Sequence, residues 1–490
     1  MVLLILCGLI WCPILIYQID RRGFLVLLVW LSIAPVAANV VARPGANPFF
    51  PRHDGGAELF TGEGEVSQQA ISKGEKYYTR ETTVTLTELF NPTRFLFVAF
   101  FIVLLFDAAF KHRLTPLDRV EKLMLVFSVI MLVGALRSIR VLNGIRLALD
   151  AIIVPFLGYY ICRRLVTSEE RLRKLAQVVC IVGGYIIVIA VLERLMHSGL
   201  YYRLGSIFGH HHALSLVVAM VFLIMLADAF RGIALPDGKG IFPNTVRYVV
   251  LCLAPVIVLL TWNRANWVGF LMSVSIFLFL SRRFTRLARK LALIGCMLIF
   301  LSVAVFGLQT SSLQDVAQER VTQRTGTVHA RFGAWILTLK EAARAPIVGI
   351  GLNNLRGVLG TTHIEVMGKK SETSSHNTYL ALFAELGAIG LLVYFALVIS
   401  IIQMGLRLYR SGITSRDRWY GVMIIGIMVA YLLPALFANT LYAKALSQVY
   451  VYAFIGGIAG LYSQRLPAPK PYVFPGRYRR ANSDVPAIVR

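Results

Sequence analysis

RYVVLCLAPVIVLLTW, residues 247–262, is an almost unbroken apolar run close to bilayer length. A hydrocarbon core about 30 Å thick is crossed by roughly 20 helical residues, each rising about 1.5 Å. MVLLILCGLIWCPILIYQI at 1–19 and RFLFVAFFIVLLF at 94–106 have the same character. The chain of 490 residues is 57% hydrophobic and only 15% charged, with a mean hydropathy of +0.68. Soluble domains carry about 45–50% apolar and about 25% charged residues. This balance excludes a soluble enzyme, a disordered chain and a small disulfide scaffold. It points to an all-α fold, a polytopic transmembrane helical bundle. In lipid each backbone group must be satisfied within its own segment, so the spans are helices.

About thirteen spans are expected: 2–17, 23–41, 95–110, 123–137, 142–162, 175–195, 213–230, 247–262, 266–280, 291–308, 378–403, 420–438 and 446–463. No internal repeat is evident. The net charge of +25 would suggest nucleic acid in a soluble chain. Here more than half of the 50 lysines and arginines fall in one alternating set of loops: 21–22, 111–122, 163–174, 231–247, 282–290, 407–418 and the tail from 465. Cationic loops stay on the cytoplasmic side. The expected topology has an outer N-terminus, an inner C-terminus and no nucleic-acid partner. The N-terminus lacks a basic region and an A-x-A cleavage pattern, and reads as a first span. The cysteines lie in or beside apolar segments without a C-x-x-C pair, which implies neither a disulfide framework nor a zinc site.

The chain divides into two spans (1–41), a periplasmic segment (42–94), a transmembrane core (95–308), a large periplasmic loop (309–377), C-terminal spans (378–463) and a basic tail (464–490). Segment 42–94 holds a strand-like TTVTLT. The Pro/Arg-rich tail reads as disordered. In the large loop, RFGAWILTLKEAARA begins at Arg331 and stops at Pro346. Its Phe332, Trp335, Ile336 and Leu339 recur at helical spacing. That amphipathic helix suits a membrane surface or the roof of a cavity.

Eight of the nine histidines fall on the outer side, all except His112. So do Arg137, Arg140, Arg194, Arg203, Arg264, Arg320, Arg324 and Arg331, against the inside-positive trend. Arginines at span ends often snorkel to lipid headgroups. As a group, with few acids nearby, they point to an anion.

Four outer segments carry motifs. Residues 201–214 read YYRLGSIFGHHHAL before a span. Residues 261–270 read TWNRANWVGF, a short turn between spans. Residues 331–352 read RFGAWILTLKEAARAPIVGIGL, and 375–390 read SHNTYLALFAELGAIG. Together these resemble the O-antigen ligase/O-antigen polymerase superfamily of bacterial envelope glycan transferases. That family has an Arg ahead of a Gly-x-x-polar-Ala turn, a Ser/Asn-Arg-x-x-Trp turn and an Arg-led helix followed by Pro-x-x-Gly-x-Gly. It ends in His-Asn-x-Tyr-Leu-(x)4-Glu-x-Gly-x-x-Gly, matched here from His376 to Gly390 and the most specific of the set. The likeness covers roughly residues 200–400. The longer segment 42–94 and the triple His210–His212 depart from it.

The resemblance implies transfer of a glycan from undecaprenyl diphosphate to an acceptor hydroxyl at the periplasmic face of the bacterial inner membrane. No cofactor or metal is called for. The partners implied are the lipid-linked donor, a glycan or lipid A-core acceptor, and membrane lipids. Ligase and polymerase differ in the acceptor, and the motifs do not separate them. Arg203, Arg264 and Arg331 are candidates for a diphosphate clamp, since guanidinium forks bind such oxygens bidentately. His376 is the candidate base, because an unperturbed imidazole titrates near pH 6.5. Asn377, Arg146 and His211 are candidate substrate contacts. Glu385, two to three turns into the span, is another, since a carboxylate at that depth is functional or paired.

Three plainer readings stand beside these. Arg146 and Asp150 are spaced to pair at i, i+4. Three consecutive histidines on a helix point about 100° apart and do not converge on one ion. Gly349 and Gly351 suit a tight turn rather than a phosphate cradle. A flippase or transporter is the rival of another class, yet transporters favour repeats and midplane charges. Here the unusual polar residues gather at one face.

Overall fold

The computed structural model describes residues 23–32, 94, 98, 101–102, 116–196, 204–208, 210–230, 240–281, 331–355, 364–366, 369–371, 375–412, 414–441 and 445–465. The expected spans 2–17 and 291–308, the TTVTLT stretch, Arg203 and the basic tail lie outside them.

Four of the described helices begin at side-chain caps, supplied by Asp118, Asn263, Asn377 and Thr414. Asp118 closes a capping box with Glu121 at the start of α2, Arg119–Leu136, which follows α1, Gly23–Ser32. The chain continues as α3, Val141–Leu165, and α4, Glu169–Met196, then α5, His211–Ala229. Helix α6 is Asn244–Leu260 and α7 is Arg264–Leu280. Helix α8 covers 331–342. A short antiparallel hairpin follows, β1 Ile364–Val366 with β2 Lys369–Ser371, an element with no counterpart in the sequence reading. The chain then forms α9, Thr378–Ser411, α10, Ser415–Ala435, capped by a Thr414–Asp417 box, and α11, Ala445–Arg465. Among the described residues, Val141–Leu165, Glu169–Met196, His211–Ala229, Thr378–Arg410 and Arg416–Ala435 are long and apolar enough to cross a membrane. Shorter apolar helices accompany them at Gly23–Ser32, Asn244–Leu260 and Arg264–Leu280. The architecture is an all-α polytopic bundle.

One large apolar core joins residues of α1–α7 and α9–α11, and a smaller cluster of Ala342, Leu355, Ala381 and Ala384 seats α8. The tightest pairing is α3 against α11. There a Cβ at Gly456 or Gly460 would strike the backbone carbonyls of Tyr159 or Arg163. Small residues let two helices approach in this way where lipid leaves no hydrophobic drive between them.

One end of the bundle is a network of ion pairs. Glu121, fully buried, takes Arg163 Nη1 at 2.6 Å and also Arg164. Arg163 Nε reaches Asp118 Oδ2 at 3.0 Å, and the Tyr159 hydroxyl donates to the same oxygen. Buried Asp228 pairs with Arg247 at 3.1 Å, and Glu169 with Arg416. All of these come from the loops and span ends expected to be cytoplasmic.

Helix α3 is not regular. Leu149–Ile153 form a π turn, which moves the register of the residues around Asp150. Asp150 is held bidentately by Arg94, Nε to Oδ1 at 2.6 Å and Nη2 to Oδ2 at 2.7 Å. The local Arg146–Asp150 pairing expected from spacing gives way to this partner fifty-six residues distant in sequence.

Candidate functional site

The other end of the bundle gathers the outer motifs. The turn between α6 and α7 is built from its own residues. Asn263 Oδ1 accepts the N–H groups of Ala265 and Asn266, which caps α7. Trp267 Nε1 donates back to the carbonyls of Val258 and Leu259 at 3.0 and 3.1 Å, closing the turn. Trp262 takes a left-handed φ of 50° to make the corner. Asparagine and tryptophan are consumed by structure, and Arg264 is left exposed at the first position of the helix.

Beneath the turn lies His212. Its Nδ1 is 2.6 Å from Asn266 Oδ1, and its Nε2 is 3.4 Å from Asn263 Nδ2. Asn266 Nδ2 donates to the His211 carbonyl at 3.2 Å, so its oxygen faces the ring. Asn263 uses its oxygen as the cap, so its amide nitrogen faces the ring. These two constraints select a neutral imidazole with the proton on Nδ1. The sequence reading singled out His211. The structure buries His212 instead, and leaves the half-buried His211 ring between its neighbours, 5.0 Å from His210 and 4.3 Å from His212. His212 and Asn266 line a small cavity of about 20 Å³ with Ser215, Tyr431, Thr440 and Ser447. That is room for a water.

Helix α8 carries Arg331 at its first residue. Ala334, Thr338 and Ala342, one face of the helix, are fully buried. The apolar stripe expected to face a membrane surface or roof a cavity, Phe332, Ile336 and Leu339, is 54%, 55% and 46% exposed. Small residues let α8 sit close on the protein, and the apolar stripe points away from it.

The loop after α8 enters a break in α9. Gly387 has φ 68° and ψ −170°, so the helix stops and restarts there. The peptide groups freed by the break are paired by residues 346–352. Ile350 N–H donates to Ala384 O at 2.9 Å and Gly351 N–H to Glu385 O at 3.0 Å. Ala388 N–H donates to Pro346 O at 2.8 Å and Ile389 N–H to Ile347 O at 3.2 Å. Broken helices persist at membrane depth only where such partners exist. Gly349, at φ 71°, lies against the Glu385 backbone, and a side chain at either glycine would collide with the other strand of the contact. Leu352 N–H and Arg137 Nη1 tie the same loop to the end of α2. Glu385 is buried immediately before the break. Its depth is therefore set by the first segment of α9, 378–386, and not by one continuous span.

Asn377 caps α9 through Tyr379 N–H at 2.9 Å and Leu380 N–H at 3.0 Å. This is a structural duty for a residue that sequence suggested as a substrate contact. His376 precedes it with φ 43° and is exposed.

Three of the expected residues meet electrostatically. The His376 imidazole is held below its ordinary pKa of 6.5, first by burial and then by the positive charge of Arg331. The ring keeps solvent access, while the protein mass around it still disfavours the imidazolium. Arg331 is itself lowered by burial and by Arg264. His376, Arg331 and Arg264 thus form a chain of neighbouring positive or proton-accepting groups. Among the described residues no carboxylate pairs with any of them. Arg146 is exposed on α3 and is not among the charges acting on Arg331 or His376.

At this end of the helical bundle Arg264, Arg331 and His376 have no carboxylate partner among the described residues. Residues 248–395 match the family model described as O-antigen ligase, so this part of the chain is similar to that family. The matched segment contains Arg264, Arg331, His376 and Glu385. No similar curated protein matches the chain.

Proposed function

We propose that the chain is a membrane glycosyltransferase of the O-antigen ligase type, moving a glycan from undecaprenyl diphosphate to an acceptor hydroxyl at the periplasmic face. The observation that carries this reading is that Arg264 acts on Arg331 and Arg331 on His376, with no carboxylate paired to any of them among the described residues. His376 accepts the proton of the acceptor hydroxyl. The oxygen attacks the anomeric carbon, and the bond from that carbon to the diphosphate oxygen breaks. The leaving diphosphate gains negative charge, which Arg264 and Arg331 neutralise, joined by Arg203 on the motif match. Guanidinium stays charged at every relevant pH, so it serves as clamp and not as base. In a water-poor pocket such preorganised charge is worth several kcal/mol in the transition state. The lowered pKa of His376 keeps it in the free-base form at neutral pH.

Among the described residues the polar and charged motif groups sit at one end, whereas a transporter places ionisable groups near the midplane. The test is transfer in proteoliposomes with purified lipid-linked donor, offering lipid A-core and free glycan acceptors in parallel. His376→Ala inserts normally and loses about 10²–10⁴-fold in rate. A well-inserted variant that keeps most of its rate removes His376 from the reaction. Transfer to glycan but not to lipid A-core converts the ligase assignment into a polymerase.

A further inference from the structure

His376 takes a positive φ of 43°, a region that residues other than glycine adopt uncommonly. The surroundings are specific. His376 is exposed, yet Ser375 before it is 1% exposed and Thr378 after it is fully buried. Ser375 Oγ donates to Asn439 Oδ1 at 3.0 Å. Thr378 Oγ1 donates to Ala438 O at 2.8 Å and accepts the Thr440 N–H at 2.9 Å. Both sides of the histidine are thus gripped by one segment, 438–441, at the end of α10. That segment is anchored in turn by Gln448 of α11, whose Nε2 donates to Thr440 O at 3.3 Å and Leu441 O at 2.7 Å.

These bonds are not needed to start α9. Asn377 already caps it through Tyr379 and Leu380. The Thr378 hydroxyl ties the turn sideways to a neighbouring element instead. The gripping segment lies outside residues 248–395, so the family match assigns it nothing.

We propose that Thr378, clasped by Ala438 and Thr440, is a positioning residue that holds His376 in its left-handed conformation and aims its imidazole, with Asn439 fixing the other side through Ser375. The inference rests on the reading of His376 as the base. Without the clasp the backbone relaxes into the ordinary β or right-handed region and the ring swings away. A displacement of about 1 Å in a reacting group costs on the order of 10²-fold.

The test uses the full chain in lipid nanodiscs with two readouts. One is kcat and donor KM for transfer. The other is the rate at which diethyl pyrocarbonate modifies His376, followed by peptide mass spectrometry, which reports on the ring whether or not it is the base. Thr378→Val removes both hydroxyl bonds at nearly constant shape. It lowers kcat by about 10–100-fold with donor KM within about twofold, and changes the His376 modification rate at least about threefold. Thr378→Ser keeps the hydroxyl and returns both readouts to near the wild-type values. An inserted Thr378→Val protein with wild-type kcat and an unchanged modification rate overturns the proposal. If Thr378→Val fails to insert, Asn439→Ala is read by the same criteria. If His376→Ala retains transfer, the base assignment falls, and the modification rates alone decide whether the clasp holds the ring.

Discussion

The two ends of the bundle handle positive charge in opposite ways. At one end Arg163 and Arg164 converge on Glu121, Arg247 on Asp228 and Arg416 on Glu169, so cations are matched by buried or half-buried carboxylates. At the other end Arg264, Arg331 and His376 act on one another, and each depresses its neighbour's protonation or is depressed by it. Matched charge is a fastening: it gains little over water but fixes which helices meet. Unmatched charge gathered in one place costs repulsion. Such an arrangement makes physical sense when a ligand brings the missing negative charge. The same residue type therefore carries different meaning according to what the fold sets beside it.

The comparison can be broken from the fastened end first. Glu121→Ala leaves Arg163 and Arg164 facing a void and an incomplete partner set. Removing one member of a buried pair costs about 3–5 kcal/mol, visible as a lower thermal aggregation temperature in detergent. Transfer per inserted molecule should hardly change. A Glu121→Ala protein that is stable but inactive would contradict the division of labour.

A smaller effect sharpens the other end. Arg331 is one of the two causes that lower the His376 pKa, so Arg331→Ala moves that pKa up toward the ordinary 6.5. The rate needs free-base imidazole, so the acid limb of the wild-type profile lies below pH 6.5 and shifts upward in the variant. Rates normalised to pH 8 should fall earlier on acidification in Arg331→Ala than in wild type. Coincident normalised profiles would remove Arg331 from the neighbourhood of the base.

The expected spans 142–162, 175–195, 213–230, 378–403 and 420–438 were legible, because apolar blocks of bilayer length admit few other readings. Asn263–Trp267 and His376–Gly390 were legible as motifs because their spacing is specific. Partners were the illegible part. Nothing near Asp150 announces Arg94, and the π turn that alters its register has no composition signal. A glycine in a helical run reads as tolerated, so the break at Gly387 became visible only once residues 346–352 were seen to pair its peptide groups. The apolar stripe of α8 was read correctly as a stripe, but spacing does not say which face the protein covers. Among three histidines in a row the sequence reading named His211, and spacing offered no ground for preferring His212. Asn263 and Asn266, at the start of α7, hold the His212 ring.

The central claim is that Arg264 and Arg331, which no carboxylate pairs among the described residues, hold a diphosphate. Its most direct test is equilibrium binding of undecaprenyl diphosphate to the purified protein in nanodiscs, comparing wild type with Arg264→Ala, Arg331→Ala and His376→Ala. The account predicts that each arginine variant loses about tenfold or more in affinity, as expected for charge-assisted hydrogen bonds of more than about 1.4 kcal/mol, while His376→Ala binds as wild type does. Equal affinity in all four proteins would contradict it.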